Sequence, residues 1–205
     1  RVMGNSGLVH VIDDDEAVRS SLEFLLRTAS FDVRTHESAV AFLANFKPGE
    51  GGCIVTDVRM PEMSGMELLR KLKEMSVDLP VIVITGHGDI TLAVEAMKAG
   101  AADFLEKPFD DGRVLEEIGC ALERNREEGA RAAERAKIRE RMALLSQRER
   151  QVLDGLVAGS PNKQIAFDLG ISARTVEVYR ANVMTKMEAD SLSGLVRMAI
   201  IASGT

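Results

Sequence analysis

The chain has 205 residues, of which 45% are hydrophobic, 28% charged and only 4% aromatic, with no tryptophan. That length suits one large or two small domains of about 100 residues. No apolar run reaches the roughly 18 residues a membrane helix requires, nothing reads as a secretory signal, and there is no G-x-x-x-x-G-K-[ST] segment, which sets aside a membrane span, export and an ATPase-driven activator. The net charge of −6 is uneven: residues 1–123 carry −10, residues 124–144 +3 and residues 145–205 +1, so the front half repels nucleic acid and the back half does not.

In chain order, short apolar runs at Leu8–Ile12, Phe31–Thr35, Cys53–Thr56, Val81–Thr85 and Asp103–Glu106 alternate with amphipathic stretches near 16–29, 38–46, 64–75 and 89–99. Four runs are apolar enough for buried parallel strands; Phe31–Thr35 alternates, as an edge strand does. Ser38, Ser64 and Asp89 are suitable N-caps, and Gly100 a helix stop. Strand–helix alternation predicts a doubly wound α/β domain with a five-stranded parallel sheet. Residues 111–142 read as one charged helix with a soft point near Gly129. Beyond it only helices remain, near 146–158, 162–169, 173–187 and 193–202, the first opened by a Ser146/Glu149 capping box. Cys53 and Cys120 are read as buried thiols in a reducing, cytoplasmic compartment rather than a disulfide.

The chemistry gathers where the strands end, the edge at which open parallel sheets bind ligands. Strand one leads into Asp13-Asp14-Asp15, strand three into Asp57, strand four into Thr85 and strand five into Lys107. Close carboxylates need a cation, and an all-oxygen set suits Mg²⁺ (or Mn²⁺). Asp57 is the candidate to attack a phosphoryl group and form an aspartyl phosphate, with Lys107 and Thr85 holding its oxygens. Singly, each residue reads more simply as a cap or a solvated charge; their order at one sheet edge favours a joint role.

The segments Val11-Ile12-Asp13-Asp14, Val55-Thr56-Asp57-Val58-Arg59-Met60-Pro61, Ile84-Thr85-Gly86 and Phe104-Leu105-Glu106-Lys107-Pro108-Phe109 resemble the CheY-like receiver domain of bacterial response regulators. The resemblance implies Mg²⁺ held by Asp14, Asp57 and the carbonyl of Arg59 with help from Asp13, a cis Lys107–Pro108 peptide, and phosphoryl transfer from the His of a partner kinase. It also implies a switch in which Thr85 and then Phe104 move when phosphate adds about −1.5 to −2 charge. That switch would reshape a dimer face at Val94, Lys98 and Ala102. His87, in a Gly-flanked loop, is read first as a loop residue, with contact to the pocket mouth as the less favoured alternative.

A helix-turn-helix frame started at Asn162 puts its small position at Ala166, its left-handed glycine at Gly170 and its apolar positions at Ile165, Leu169, Ile171, Val176 and Tyr179. With Leu145–Leu153, Gly159–Ala166 and Ile171–Val178, this resembles the DNA-binding domains of the LuxR/FixJ class, departing from it at Glu177 and Tyr179. Glu177, Val178 and Ala181 are then candidates to read bases, and Lys163, Arg174, Thr175, Arg180 and Lys186 to contact phosphates. The predicted organisation is a receiver over 6–123, a helical linker over 124–144 and a helix-turn-helix domain over 145–205. Both halves together, with the Ile84–Asp89 loop and the Thr175–Val178 helix, carry a narrower resemblance within this class, which implies a FixL-like sensor histidine kinase, promoter DNA, RNA polymerase and a phosphorylation-driven homodimer as partners, and activation of nitrogen-fixation genes. Two alternatives are an Asp-nucleophile phosphatase, in which Arg59 stands where a general acid is needed, and a DNA-binding regulator independent of phosphorylation.

Overall fold

The computed structural model describes residues 7–86 and 90–203. They form two compact units, residues 1–127 and 128–205, each with its own core. The first contains β1 (Leu8–Ile12), α1 (Glu16–Thr28), β2 (Asp32–His36), α2 (Ala39–Asn45), β3 (Cys53–Asp57), α3 (Gly65–Glu74), β4 (Val81–Thr85), α4 (Ile90–Ala99), β5 (Asp103–Glu106) and the start of α5 (Asp111–Ala143). The strands pair in parallel in the order β2-β1-β3-β4-β5. β3 and β4 are buried throughout, as central parallel strands covered on both faces are, whereas the edge strand β2 buries only Val33 and exposes Asp32, Arg34 and Thr35. β2 begins at Asp32, one residue later than its apolar pattern suggests, and β3 extends to include Asp57.

Side chains leave a strand on alternate faces, and this divides the core in two. Cys53, Val55, Ile82 and Ile84 pack on one face with Leu22 and Leu26 of α1 and Val114 and Ile118 of α5. Ile54, Val81 and Val83 pack on the other with Phe42 of α2, Leu68 and Leu72 of α3 and Ala96 of α4. Asp15 caps α1 through Ala17 N and Val18 N, and Ser38 and Ser64 cap α2 and α3. Gly100 follows α4 at φ +95°. Asp89 and His87 lie outside the described residues. Cys53 is buried and burial pushes its thiol up to about 12, but Cys120 is exposed. That corrects the sequence expectation: Val114, Ile118 and Ala121 take the inward stripe of α5, and residue 120 falls on the other side.

The second unit holds the end of α5 with α6 (Gln147–Val157), α7 (Asn162–Leu169), α8 (Ala173–Met187) and α9 (Leu192–Ser203). Helix α5 is continuous through Gly129, which stands in open space. Residues 126–137 are exposed, but Ile138 enters the core with Val152, Leu153, Val176, Val183, Met187 and Leu195. Part of the stretch read as linker therefore contributes to the core of the helical unit. A Cβ on Gly155 would come within 2.8 Å of Ile165, so this glycine lets α6 and α7 approach closely.

One polar feature sits inside the first core. His10 of β1, 1% exposed, meets His36 of β2 at 3.2 Å between Nδ1 and Nε2. Phe42 packs edge-on against both rings, and Phe46 packs edge-on against His10. Burial lowers the pKa of both imidazoles; for His36 the charge of His10 and of Arg34 adds to this, Glu50 opposes, and the value falls to about 4. Both groups are favoured neutral in the fold, so stability is complete above the ordinary value near 6.5 and is lost as pH falls toward the lowered ones. The urea midpoint is expected to fall between about pH 7 and about pH 5, by an amount worth of order 1–2 kcal/mol, with a shallower fall in His36→Asn. A wild-type midpoint that does not move over that range is inconsistent with the pair.

Candidate functional site

The parallel register brings four chain segments to one sheet edge. Asp13 directly follows β1, Asp57 ends β3, Thr85 ends β4, and Lys107 directly follows β5. Asp57 pairs in register with Ile84, and Thr85 with Glu106. The Lys107 backbone N–H donates to Thr85 O at 2.9 Å, and the Lys107–Pro108 peptide is cis. The Lys107 ammonium donates to Asp57 Oδ1 at 2.7 Å and to Asp13 Oδ2 at 3.3 Å. Residues 94 and 50 positions apart are thus joined by one cation.

Both carboxylates are buried, Asp57 to 8% exposure and Asp13 to 1%. Burial raises the pKa of Asp13 and the charge of Asp57 adds to the rise, against the Asp15 N–H and Lys107. For Lys107 the order is reversed: burial pulls it down, but the hydrogen bond and charge of Asp57, with Asp13, leave it raised. The second Asp57 oxygen, Oδ2, accepts from the Arg59 backbone N–H at 2.7 Å. The second oxygen of Asp13 accepts from Asp15 N at 2.9 Å.

Asp14 and Asp15 do not join this pair in a three-carboxylate cluster, and among the described residues no group of three or more His, Cys, Asp or Glu side chains gathers to hold a metal. This corrects the expectation of three close carboxylates. Asp15 is occupied as the cap of α1, and the Asp14 side chain is exposed. Arg19 fixes the loop instead, donating to Asp13 O at 2.7 Å and Asp14 O at 3.0 Å. Sequence reading missed Arg19, although its position one turn into α1 was a signal. It also missed Gly65: a Cβ there would lie 2.3 Å from the Asp57 carbonyl oxygen. Only a residue without a side chain lets the start of α3 sit against the end of β3, where Gly65 N donates to Val58 O at 3.0 Å.

Thr85 is buried at the same edge, and Phe104 is half-buried against the core on the α3–α4 face. Val94 and Lys98 are exposed on α4, Met97 is exposed beside them, and Ala102 packs on the opposite core. In the helical unit Gly170 ends α7 at φ +64°, and Ser172 caps α8 by accepting from Thr175 N. Ala166, Ile165 and Val176 are buried at the crossing. Lys163, Arg174, Glu177, Val178 and Ala181 are exposed, and Thr175 and Arg180 half-buried. Lys186 has another partner: its ammonium donates to Glu149 Oε2 at 2.7 Å and to Leu144 O at 3.3 Å.

The receiver domain model of response regulators matches residues 9–119, and that of bacterial regulatory proteins of the luxR family matches residues 143–199. The chain belongs to the FixJ class of response regulators. It is 60% identical over 194 residues to the transcriptional regulatory protein FixJ of Azorhizobium caulinodans, covering 95% of this chain and 92% of that one. The solved response regulator StyR is 43% identical with a TM-score of 0.83, covering 94% of this chain and 97% of that one. Full-length FixJ from B. japonicum is 51% identical with a TM-score of 0.62, covering 97% and 98%. This response regulator therefore combines a receiver with a LuxR-type DNA-binding domain, which implies a sensor kinase and promoter DNA as partners. No described helix is long and apolar enough to cross a membrane.

Gly65→Ala is expected to displace Asp57 or α3, lowering the urea midpoint by roughly 1–3 kcal/mol and slowing acetyl-phosphate labelling. Wild-type labelling at wild-type stability would show that the close approach is dispensable.

Proposed function

We propose that a FixL-like histidine kinase transfers a phosphoryl group to Asp57, and that the added charge drives receiver dimerisation and promoter binding, activating nitrogen-fixation genes through RNA polymerase. The observation that carries this reading is the Lys107 ammonium between buried Asp57 and Asp13. It sets a positive charge against one oxygen of Asp57 at the sheet edge, while the other oxygen accepts from Arg59 N. An incoming phosphoryl group would find the ammonium already beside its acceptor, and catalysis needs little more than such positioning and charge compensation.

The donors at this edge are all oxygens, and two buried carboxylates with a backbone carbonyl fit Mg²⁺ or Mn²⁺, hard ions that keep several waters. Asp13, Asp57 and the Arg59 carbonyl would hold it, with Asp14 joining them from its exposed position only once the ion is present, and when bound it supplies charge neutralisation for the phosphoryl oxygens. Thr85 and Lys107 then bind the transferred group, and Phe104 turns with Thr85 to alter the face carrying Val94, Lys98 and Ala102. Arg59, in place of a second carboxylic acid, leaves Asp57 without a partner for rapid turnover, so the site holds its phosphoryl group as a signal. The protein works in the cytoplasm, where such a kinase presents its phosphohistidine.

In the second unit Lys163, Arg174, Thr175 and Arg180 contact phosphates, and Glu177, Val178 and Ala181 face bases. Residues 145–205 carry only +1, so one copy binds weakly and pairing two copies on adjacent half-sites raises affinity. Acetyl phosphate with Mg²⁺ is expected to dimerise the wild type in sedimentation and raise its promoter affinity at least about tenfold, the size of a modest linkage effect. Asp57→Asn should do neither, and Val94→Arg should be phosphorylated yet stay monomeric. Equal DNA affinity in all four states would sink the switch.

A further inference from the structure

The C-terminal end of α8 is held by polar groups that its packing does not require. Val176, Val183 and Met187 are fully buried and already seat the helix. Beyond that, Lys186 reaches the carbonyl of Leu144, just past the end of α5, and the carboxylate of Glu149. The same Glu149 oxygen accepts from Ser146 N at 2.8 Å, so one buried atom joins the start of α6 to α8. The hydrogen bond from Lys186, followed by that from Ser146 N, holds the Glu149 carboxyl below its usual range.

Arg141 of α5 makes a second link. Its guanidinium donates to Met187 O at 3.2 Å and forms an ion pair with Glu188. Glu188 closes α8 at φ 51°, ψ 46°, the left-handed conformation that glycine adopts without strain. Its side chain is 69% exposed and adds little packing, so its carboxylate on Arg141 is what distinguishes it there.

We propose that Arg141, Glu149, Lys186 and Glu188 are positioning residues for base reading: they clamp the C-terminal end of α8 to the α5–α6 junction and set the angle at which Glu177, Val178 and Ala181 meet DNA. This rests on α8 being the helix that reads bases. A helix of 15 residues is a rod about 22 Å long, so a small tilt at the clamped end moves its far end by more. Lys186 acts within the fold and is not a phosphate contact.

The test uses the full chain with acetyl phosphate and Mg²⁺, a duplex that the wild type enriches from a random-sequence pool, and a scrambled duplex of equal length. Glu188→Gly is expected to melt at or above the wild-type temperature, because glycine relieves the left-handed backbone. Its preference for the enriched duplex should nevertheless fall about tenfold, the size of one lost base contact. Lys186→Met should show the same loss of preference with an unchanged salt slope, and Lys186→Arg should restore it. If Lys186→Met instead weakens both duplexes equally and lowers the salt slope by about one, Lys186 is a phosphate contact and the proposal falls. Wild-type preference in both Glu188→Gly and Lys186→Met also overturns it, leaving the clamp a folding role only. A wild type that enriches no sequence overturns the base-reading role of α8 itself, a result distinct from either.

Discussion

The receiver depends on one ammonium between two buried carboxylates. Asp13 and Asp57 come from different strands, and both lie in a low-dielectric edge where like charges are costly. Lys107 offsets that cost by meeting one oxygen of each carboxylate. A lysine brings a compact ammonium on a flexible stem, which can meet both carboxylates at once. The rest of the first unit makes this contact possible. Parallel pairing ends β1, β3, β4 and β5 on one side, and the absent side chain at Gly65 lets α3 close against Asp57.

The helical unit follows a different logic. Its apolar core fixes which helices touch, but apolar contacts tolerate sliding and rotation more readily than hydrogen bonds do. Directional links are concentrated where α5, α6 and α8 meet, at Arg141, Glu149 and Lys186. Residues 145–205 carry little net charge, so bulk electrostatic attraction to DNA is weak there. Both units therefore use buried charge in small, paired amounts.

Much of the fold could be read in advance because its patterns are local. Val81–Thr85 is apolar throughout because a central parallel strand is covered on both faces, and Ser64 and Ser146 precede glutamates at the capping-box spacing. Asp57 and Lys107 were legible because each stands at the end of such a run. Cys120 was misread because apolar neighbours in sequence do not share a helix face; three residues around it turn inward and it does not. Gly65 and Arg19 escaped notice since their importance lies in atoms that only folding brings near.

By itself the sequence determined the strand–helix alternation, the sheet edge on which the charged residues fall, and the small and left-handed positions of the helix-turn-helix, because each follows from a spacing of two or 3.6 residues or from one residue's backbone freedom. Only the tertiary structure decided which carboxylates share Lys107, that Asp14 stays outside that pair, that Ile138 of α5 enters the second core, and that Lys186 is tied to Glu149. Those are pairings between residues dozens of positions apart. No local spacing specifies them, because each group has several partners of suitable chemistry and packing chooses among them.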